Sequence, residues 1–112
     1  IDIEKRLAIN YGDLLYHFHG RERAYITEAP DALEPFYDIW VKKEAFLKAI
    51  GTGIVKKTDQ FDCTEQSVEF EGVHWYFHPL YISRGFTSYL CSVNKGEKTV
   101  IHPFNPGMLK II

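Results

Sequence analysis

The sequence has few cysteines, no long hydrophobic run and no excess of charge of either sign. None of its apolar stretches approaches the ~18 consecutive residues that a membrane-spanning helix requires, so no membrane partner is expected. Lys and Arg total 13 and Asp and Glu total 15, which gives a net charge of -2. Because this balance provides no basic field, nucleic acid is not expected as a partner either.

Cysteine usage points to a reducing compartment. Cys63 and Cys91 form neither a CxxC motif nor the ligand spacing of a metal site, so a disulfide framework is not expected. Both are predicted to be buried free thiols, which are typical of the cytoplasm. Because the first residue is Ile and not Met, the sequence leaves open whether this N-terminus is native or trimmed.

Motifs for catalysis are also missing. There is no GxSxG nucleophile elbow, and the GTG run at 51–53 is interpreted as a helix end and not as a phosphate-binding loop. Cys91 lies in an apolar segment, where a thiol is usually inert, and the acidic neighbours of Cys63 would raise its pKa. No metal ligands and no cofactor are predicted, and the sequence leans away from an enzyme.

The composition is that of a soluble globular protein. Hydrophobic residues make up 46% and charged residues 25% of the 112 positions, which predicts one domain over 1–112. Aromatic residues make up 15% of the sequence, a high share that favours β-structure and surfaces that bind other molecules.

The periodicity of the chain changes from helical to alternating near residue 53. Before that point, we predict a helix over 2–19 with Asp2 as its N-cap, a strand over 23–28 and a helix within 29–51, where Asp31 and Glu34 have capping-box spacing. After it, the alternation predicts strands over 53–58, 67–71, 73–79, 85–93 and 98–104. The expected fold is α+β: two helices pack on one face of a curved, mainly antiparallel sheet of about five strands, in a roll-like arrangement.

One hairpin is specified in detail by the stretch SVEFEGVHWYFHP. If Glu71 and Gly72 form a two-residue turn, Glu69 faces His74 and Glu65 faces His78. One face then collects the apolar side chains and must point to the core: Val68, Phe70, Val73, Trp75 and Phe77. The opposite face collects Glu65, Ser67, Glu69, His74, Tyr76 and His78, and a one-residue slip would bury the glutamates.

Three interpretations of this polar face stay open. It is a solvated surface with weak ion pairs, a pocket in which carboxylates orient histidines for acid–base chemistry, or a metal site. The metal interpretation is the weakest, because the Cα atoms of His74 and His78 would lie roughly 13 Å apart in a strand.

The remaining histidines and lysines have ordinary explanations. His17 and His19 are expected at the end of the first helix, where positive charge is favourable, unless residues 13–19 form a strand and pair both rings on one face. His102 is predicted in the last strand. On the second helix, Lys42, Lys43 and Lys48 are expected to form a solvated face.

The functional prediction is a small binding or accessory domain of the immunity, inhibitor or regulatory type. It would act on a protein partner or a second copy of itself, as a dimer, because aromatic residues and arginine anchor such interfaces. The predicted binding residues are Tyr76, His74, His78, Tyr81 and Arg84. The alternative is a small-molecule or hydrolytic pocket whose catalytic candidates are His74, Glu69, His78, Tyr76 and Arg84, with His102 as a further candidate.

Overall fold

The computed structural model describes residues 1–51 and 58–95. In these ranges the strands form one open antiparallel sheet in the order β1-β4-β3-β2, so β1 and β2 are its edges. The strands are β1 (Asp2–Lys5), β2 (Ser67–Phe70), β3 (Val73–Pro79) and β4 (Phe86–Ser92). The predicted α+β class is confirmed, with four strands where about five were expected. The predicted strands over 53–58 and 98–104 lie outside the described residues, apart from residue 58.

Helices cover one face of this sheet. The long helix α2 (Leu33–Ile50) packs on β4 and β1, and the shorter helix α1 (Gly20–Thr27) packs on α2. Two 3-10 helices complete the described structure, Gly12–His17 and Thr58–Gln60. No helix in the described ranges is both long and apolar enough to cross a membrane.

The predicted helix over 2–19 is wrong. Residues 2–5 form β1, which pairs with β4 through Asp2 opposite Tyr89 and Glu4 opposite Thr87. The spacing of Ile3 and Leu7 misled the prediction because residues four apart share a face in a strand as well as in a helix. Residues 13–19 are neither a regular α-helix nor a strand, since the 3-10 helix ends at His17.

The predicted strand over 23–28 is also wrong, because these residues belong to α1. His19 is the N-cap of this helix and not the end of a preceding one: its Nδ1 accepts from the Arg21 N–H at 3.1 Å. Glu22 Oε1 in turn accepts from the His19 N–H at 2.8 Å. This is a capping box in which His replaces the usual Ser or Thr.

Helix α2 is close to its prediction. It ends at Gly51, whose φ of 72° is the left-handed conformation that a C-terminal glycine provides. Its inner face packs against the sheet in a core of buried side chains: Ala45, Phe46, Cys63, Val68, Phe77 and Cys91. Cys63 and Cys91 are buried free thiols, as predicted.

The predicted solvated lysine face of α2 is wrong for Lys42 and Lys43, whereas Lys48 is exposed as predicted. Lys42 and Lys43 are only 6% and 3% exposed. The Lys43 ammonium lies 2.9 Å from the Glu22 carboxylate and donates to the Phe61 carbonyl at 2.7 Å. The helix has no open polar side here, because the sheet covers one side while α1 and the segment before β2 cover the other.

Candidate functional site

Two carboxylates of β1 face the C-terminal half of α2. Asp2 and Glu4 are two residues apart and therefore point to the same side of the sheet. Helix α2 packs on that side and presents Glu44 and Lys48, which are neighbours one turn apart. The Lys48 ammonium lies 2.6 Å from Asp2 Oδ1, which joins the strand to the helix. We call Asp2, Glu4, Glu44 and Lys48 the carboxylate site.

The charge of Asp2 affects the pKa of both Glu4 and Glu44. Burial raises the pKa of Glu4, and the negative charge of Asp2 raises it further. Burial is also the largest cause of the raised pKa of Glu44, followed by the charges of Asp2 and, more weakly, Glu4. The Lys48 ammonium acts in the opposite direction on both glutamates. Glu4 and Glu44 are therefore partly buried carboxylates that lie within electrostatic range of Asp2 and Lys48.

Asp2 has a free bonding position inside this site. The residue is 3% exposed, and its Oδ2 has no hydrogen-bond partner although it is buried. An unpaired carboxylate oxygen in a buried position costs free energy unless a cation or a donor satisfies it. Asp2 is therefore not the solvent-facing N-cap that the sequence predicted.

Oxygen ligands of this kind suit a hard divalent cation such as Mg²⁺. Within residues 1–51 and 58–95, no group of three or more His, Cys, Asp or Glu side chains is already arranged around a cation position. The orphaned Asp2 oxygen and the charge coupling of Glu4 and Glu44 nevertheless fit such an ion. At present the Lys48 ammonium supplies the positive charge at Asp2.

The chain is held firmly where it leaves β1. The Tyr37 hydroxyl of α2 accepts from the Leu7 N–H at 3.1 Å and donates to the Leu7 carbonyl at 3.3 Å. The Arg6 guanidinium donates to the Phe86 carbonyl at 2.6 Å and to the Thr87 hydroxyl at 3.0 Å. These contacts fix the strand that carries Asp2 and Glu4 against both the helix and the sheet.

A cavity of about 500 Å³ is lined by residues of α2, β4 and the loop between β3 and β4, and by none of the four residues of the carboxylate site. Its walls include Thr87 and Tyr89, which are the cross-strand neighbours of Glu4 and Asp2. The Tyr89 hydroxyl donates a short hydrogen bond to Asp38, and burial followed by this bond raises the pKa of Tyr89. Tyr81 and Arg84, two of the predicted binding residues, lie in the loop between β3 and β4 and line the same cavity.

The predicted hairpin forms in the predicted register. Glu69 pairs with His74 and Val68 with Trp75, and Glu71 and Gly72 both adopt positive φ, as a tight two-residue turn requires. Val68 and Phe77 enter the core, whereas Val73 at the turn is 43% exposed.

The polar face of the hairpin contains one of the two expected ion pairs. His74 Nε2 lies 3.5 Å from Glu69 Oε2, and both side chains are more than half exposed. The expected pairing of Glu65 with His78 is wrong: Glu65 lies before β2 and contacts Arg21 at 3.4 Å. His78 Nε2 instead lies 2.9 Å from the Asn94 carbonyl oxygen, because β3 pairs with β4 on that side.

The structure does not unite all the predicted site residues. His74, Tyr76 and His78 line a wide cavity of about 850 Å³, whereas Glu69 does not line it. Arg84 and Tyr81 lie in a separate loop, and His102 lies outside the described residues. A binding or catalytic role of these residues stays a prediction.

The sequence reasoning missed all four members of the carboxylate site as functional residues. A signal was present, because Asp2 and Glu4 alternate as strand residues do and Glu44 and Lys48 have helical spacing. The helix predicted over 2–19 concealed it, since a helix would place Asp2 and Glu4 on different sides.

Comparison with known proteins identifies the family. Residues 1–94 match the model of ACPS, the 4'-phosphopantetheinyl transferase superfamily, and this match includes the whole carboxylate site. No curated protein and no solved structure matches the chain. The predicted function of a binding or accessory domain is therefore wrong, because this family consists of transferases. The prediction relied on the lack of familiar catalytic motifs, and a catalytic family can lack those motifs. The chain belongs to the 4'-phosphopantetheinyl transferase superfamily.

Proposed function

We propose that this chain takes part in transferring a 4'-phosphopantetheinyl group from coenzyme A to a hydroxyl group of an acceptor protein. The observation that carries the proposal is the carboxylate site, in which acidic groups of β1 and α2 meet within the segment that matches the family. In coenzyme A the transferred phosphate is part of a pyrophosphate. The acceptor oxygen would bond to its phosphorus and release its proton to water, the bridging P–O bond would break, and the nucleotide would leave with the bridging oxygen.

This reaction places negative charge on phosphate oxygens, so the site must supply positive charge. Asp2, Glu4 and Glu44 would hold a divalent cation, to which Asp2 Oδ2 offers a buried and unpartnered oxygen. When bound, such a cation neutralises charge on phosphate oxygens and orients them. Burial is the main cause of the raised pKa of Glu4 and of Glu44, and the neighbouring charge of Asp2, which a cation would offset, raises both further.

Lys48 is the residue proposed to contact the pyrophosphate. Its ammonium lies at the carboxylate site, and its side chain keeps 30% of its surface exposed. Lysine binds phosphate as a compact point charge on a flexible stem. Arg6 is less available for this role, because its guanidinium already donates to Phe86 and Thr87.

The acceptor would be the protein partner that the sequence prediction called for. Tyr81 is 90% exposed and lines a cavity with Arg84, and the same cavity reaches Thr87 and Tyr89, the cross-strand neighbours of Glu4 and Asp2. An exposed aromatic ring beside an arginine is a favourable anchor for a protein surface. We propose that this loop contacts the acceptor protein while its hydroxyl enters the carboxylate site.

The test is a transfer assay read by mass spectrometry. The chain is incubated with coenzyme A, Mg²⁺ and a carrier protein that lacks the phosphopantetheine arm, and the mass of the carrier is followed. We expect the mass of one phosphopantetheinyl group to be added, and Asp2→Asn and Glu44→Gln to reduce the rate by at least ~100-fold, as losses of groups that stabilise transition-state charge commonly do.

The matched control is Glu28→Gln, which removes one exposed carboxylate at the end of α1 and should leave the rate unchanged. Transfer that proceeds equally well in Glu44→Gln, or that needs no divalent cation, would refute the assignment of the site. Circular dichroism on each variant checks that a lost rate does not reflect unfolding.

A further inference from the structure

We propose that Lys48 is a placeholder cation, whose ammonium occupies the carboxylate site until a divalent cation enters and then moves to the pyrophosphate. The inference rests on the proposed function and adds an order of events to it. The divalent cation binds first, and its binding releases the group that receives the phosphate.

The first step of the argument is the present position of the ammonium. Lys48 Nζ lies 2.6 Å from Asp2 Oδ1, and the Asp2 side chain is only 5% exposed. A buried carboxylate that loses its partner is strongly unfavourable, so the empty site needs this ammonium.

The second step is competition for the same oxygens. A divalent cation coordinated by Asp2 would stand within a few ångströms of an ammonium that remained at Oδ1, and two positive charges at that separation repel strongly in a partly buried site. Oδ2 is buried and has no hydrogen-bond partner. Asp2 would offer Oδ2 to a cation while Oδ1 still holds the ammonium, and the repulsion between the two positive charges would favour departure of the Lys48 ammonium.

The third step is that Lys48 can leave without moving the helix. Its side chain is 30% exposed, whereas that of Asp2 is 5% exposed, so the lysine is the mobile partner of this pair. The flexible stem allows the ammonium to swing away while α2 stays packed on β1 and β4. The displaced ammonium would then be available to contact a pyrophosphate, whose negative charge would separate it from the cation.

The proposal gives two opposite expectations for the variant Lys48→Met. Without its internal competitor, the site should bind Mg²⁺ alone more tightly, on the order of tenfold, as measured by titration calorimetry. At saturating Mg²⁺, inorganic pyrophosphate should bind more weakly, on the order of tenfold, because its lysine contact is lost. A purely structural lysine would weaken both affinities or neither.

The matched control is Lys5→Met. Lys5 lies on the same strand as Asp2 and Glu4 but at an alternate position, so its exposed side chain points away from α2. Lys5→Met removes one positive charge, as Lys48→Met does, but from the strand that carries Asp2 and Glu4. The affinities for Mg²⁺ and for pyrophosphate should both stay within about twofold of the wild type. A gain in Mg²⁺ affinity as large in Lys5→Met as in Lys48→Met would overturn the proposal.

A second measurement on the wild-type chain avoids the risk that Lys48→Met does not fold. The rate of acetylation of Lys48 by acetic anhydride, read by peptide mass spectrometry, should rise several-fold when Mg²⁺ is added and fall again when inorganic pyrophosphate follows. An acetylation rate that Mg²⁺ leaves unchanged or lowers overturns the exchange.

The two proposals fail in different ways. If the wild-type chain binds Mg²⁺ and transfers the phosphopantetheinyl group, yet Lys48→Met binds Mg²⁺ no more tightly, only the placeholder role is wrong. If the wild-type chain neither binds Mg²⁺ nor carries out the transfer, the proposed function is wrong and the placeholder role is wrong with it.

Discussion

The buried ion pair between Glu22 and Lys43 gives the sharpest test of the fold. Glu22 is 0% exposed and accepts three contacts: the Lys43 ammonium at 2.9 Å, the His19 N–H at 2.8 Å and the Cys63 N–H at 2.7 Å. One carboxylate thereby joins the start of α1, the middle of α2 and the segment before β2. The variant Glu22→Gln keeps the shape of this side chain and removes its charge.

The expected loss follows from what the substitution leaves behind. The Lys43 ammonium is nearly as buried as Glu22 and would lose its counter-charge, which typically costs about 3–5 kcal/mol. The glutamine amide would also place an N–H donor against one of the two backbone N–H groups, where the carboxylate had an acceptor. We expect a loss of about 4 kcal/mol in the free energy of unfolding, a large part of the total for a chain of this size.

The assay is urea denaturation followed by circular dichroism, with Glu65→Gln as the control. Glu65 also pairs with an arginine, Arg21, but both side chains are about two-thirds exposed, so its loss should cost less than about 1 kcal/mol. The double variant Glu22→Gln/Lys43→Met should recover part of the stability, since it removes the uncompensated ammonium. The reasoning is refuted if Glu22→Gln costs no more than Glu65→Gln, or if the double variant loses the sum of both single losses.

Two further predictions concern the turn and the thiols. Gly72→Ala should lower the free energy of unfolding by about 1 kcal/mol, because φ at Gly72 is 78°, a conformation that alanine adopts only with strain. Glu71→Asn should raise it by a few tenths of a kcal/mol, because asparagine tolerates the φ of 52° at this position better than glutamate does. Urea midpoints in the opposite order would contradict this prediction. Burial raises the pKa of Cys91 to about 12 and raises that of Cys63 as well. Iodoacetamide at pH 8 should therefore modify the native chain far more slowly than the urea-unfolded chain, and equal rates would contradict burial. Because the native state holds these thiol protons more tightly, stability should fall as the pH rises above the ordinary thiol pKa of 9 towards 12.

The second half of the described chain was predictable because its signals were local. In the 67–79 hairpin, side chains alternate between apolar and polar, and a wrong register would bury Glu69. Helix α2 carries its apolar stripe and its terminal glycine in consecutive residues. In such segments the fold-determining pattern lies within a few residues, and tertiary contacts reinforce it.

The first thirty residues failed because their structure depends on distant partners. β1 exists as an edge strand paired with β4, more than eighty residues away, and the sequence near Ile3 fits a helix equally well. Helix α1 begins at a His–Glu capping box, which a search for Ser, Thr, Asp or Asn overlooks. The same long-range dependence made Lys42 and Lys43 look solvated, since the segments that cover them come from other parts of the chain.

The carboxylate site could not be predicted for a related reason, and its construction explains why. Asp2 and Lys48 are 46 residues apart, and only the packing of β1 on α2 joins them. A single helix or strand offers few positions from which several carboxylates can reach one ion, whereas a strand crossing a helix brings alternating and helical positions together. Like charges gathered in this way repel, so the fold must compensate them while no ligand is bound. The Lys48 ammonium provides that compensation from the helix, 2.6 Å from Asp2 Oδ1.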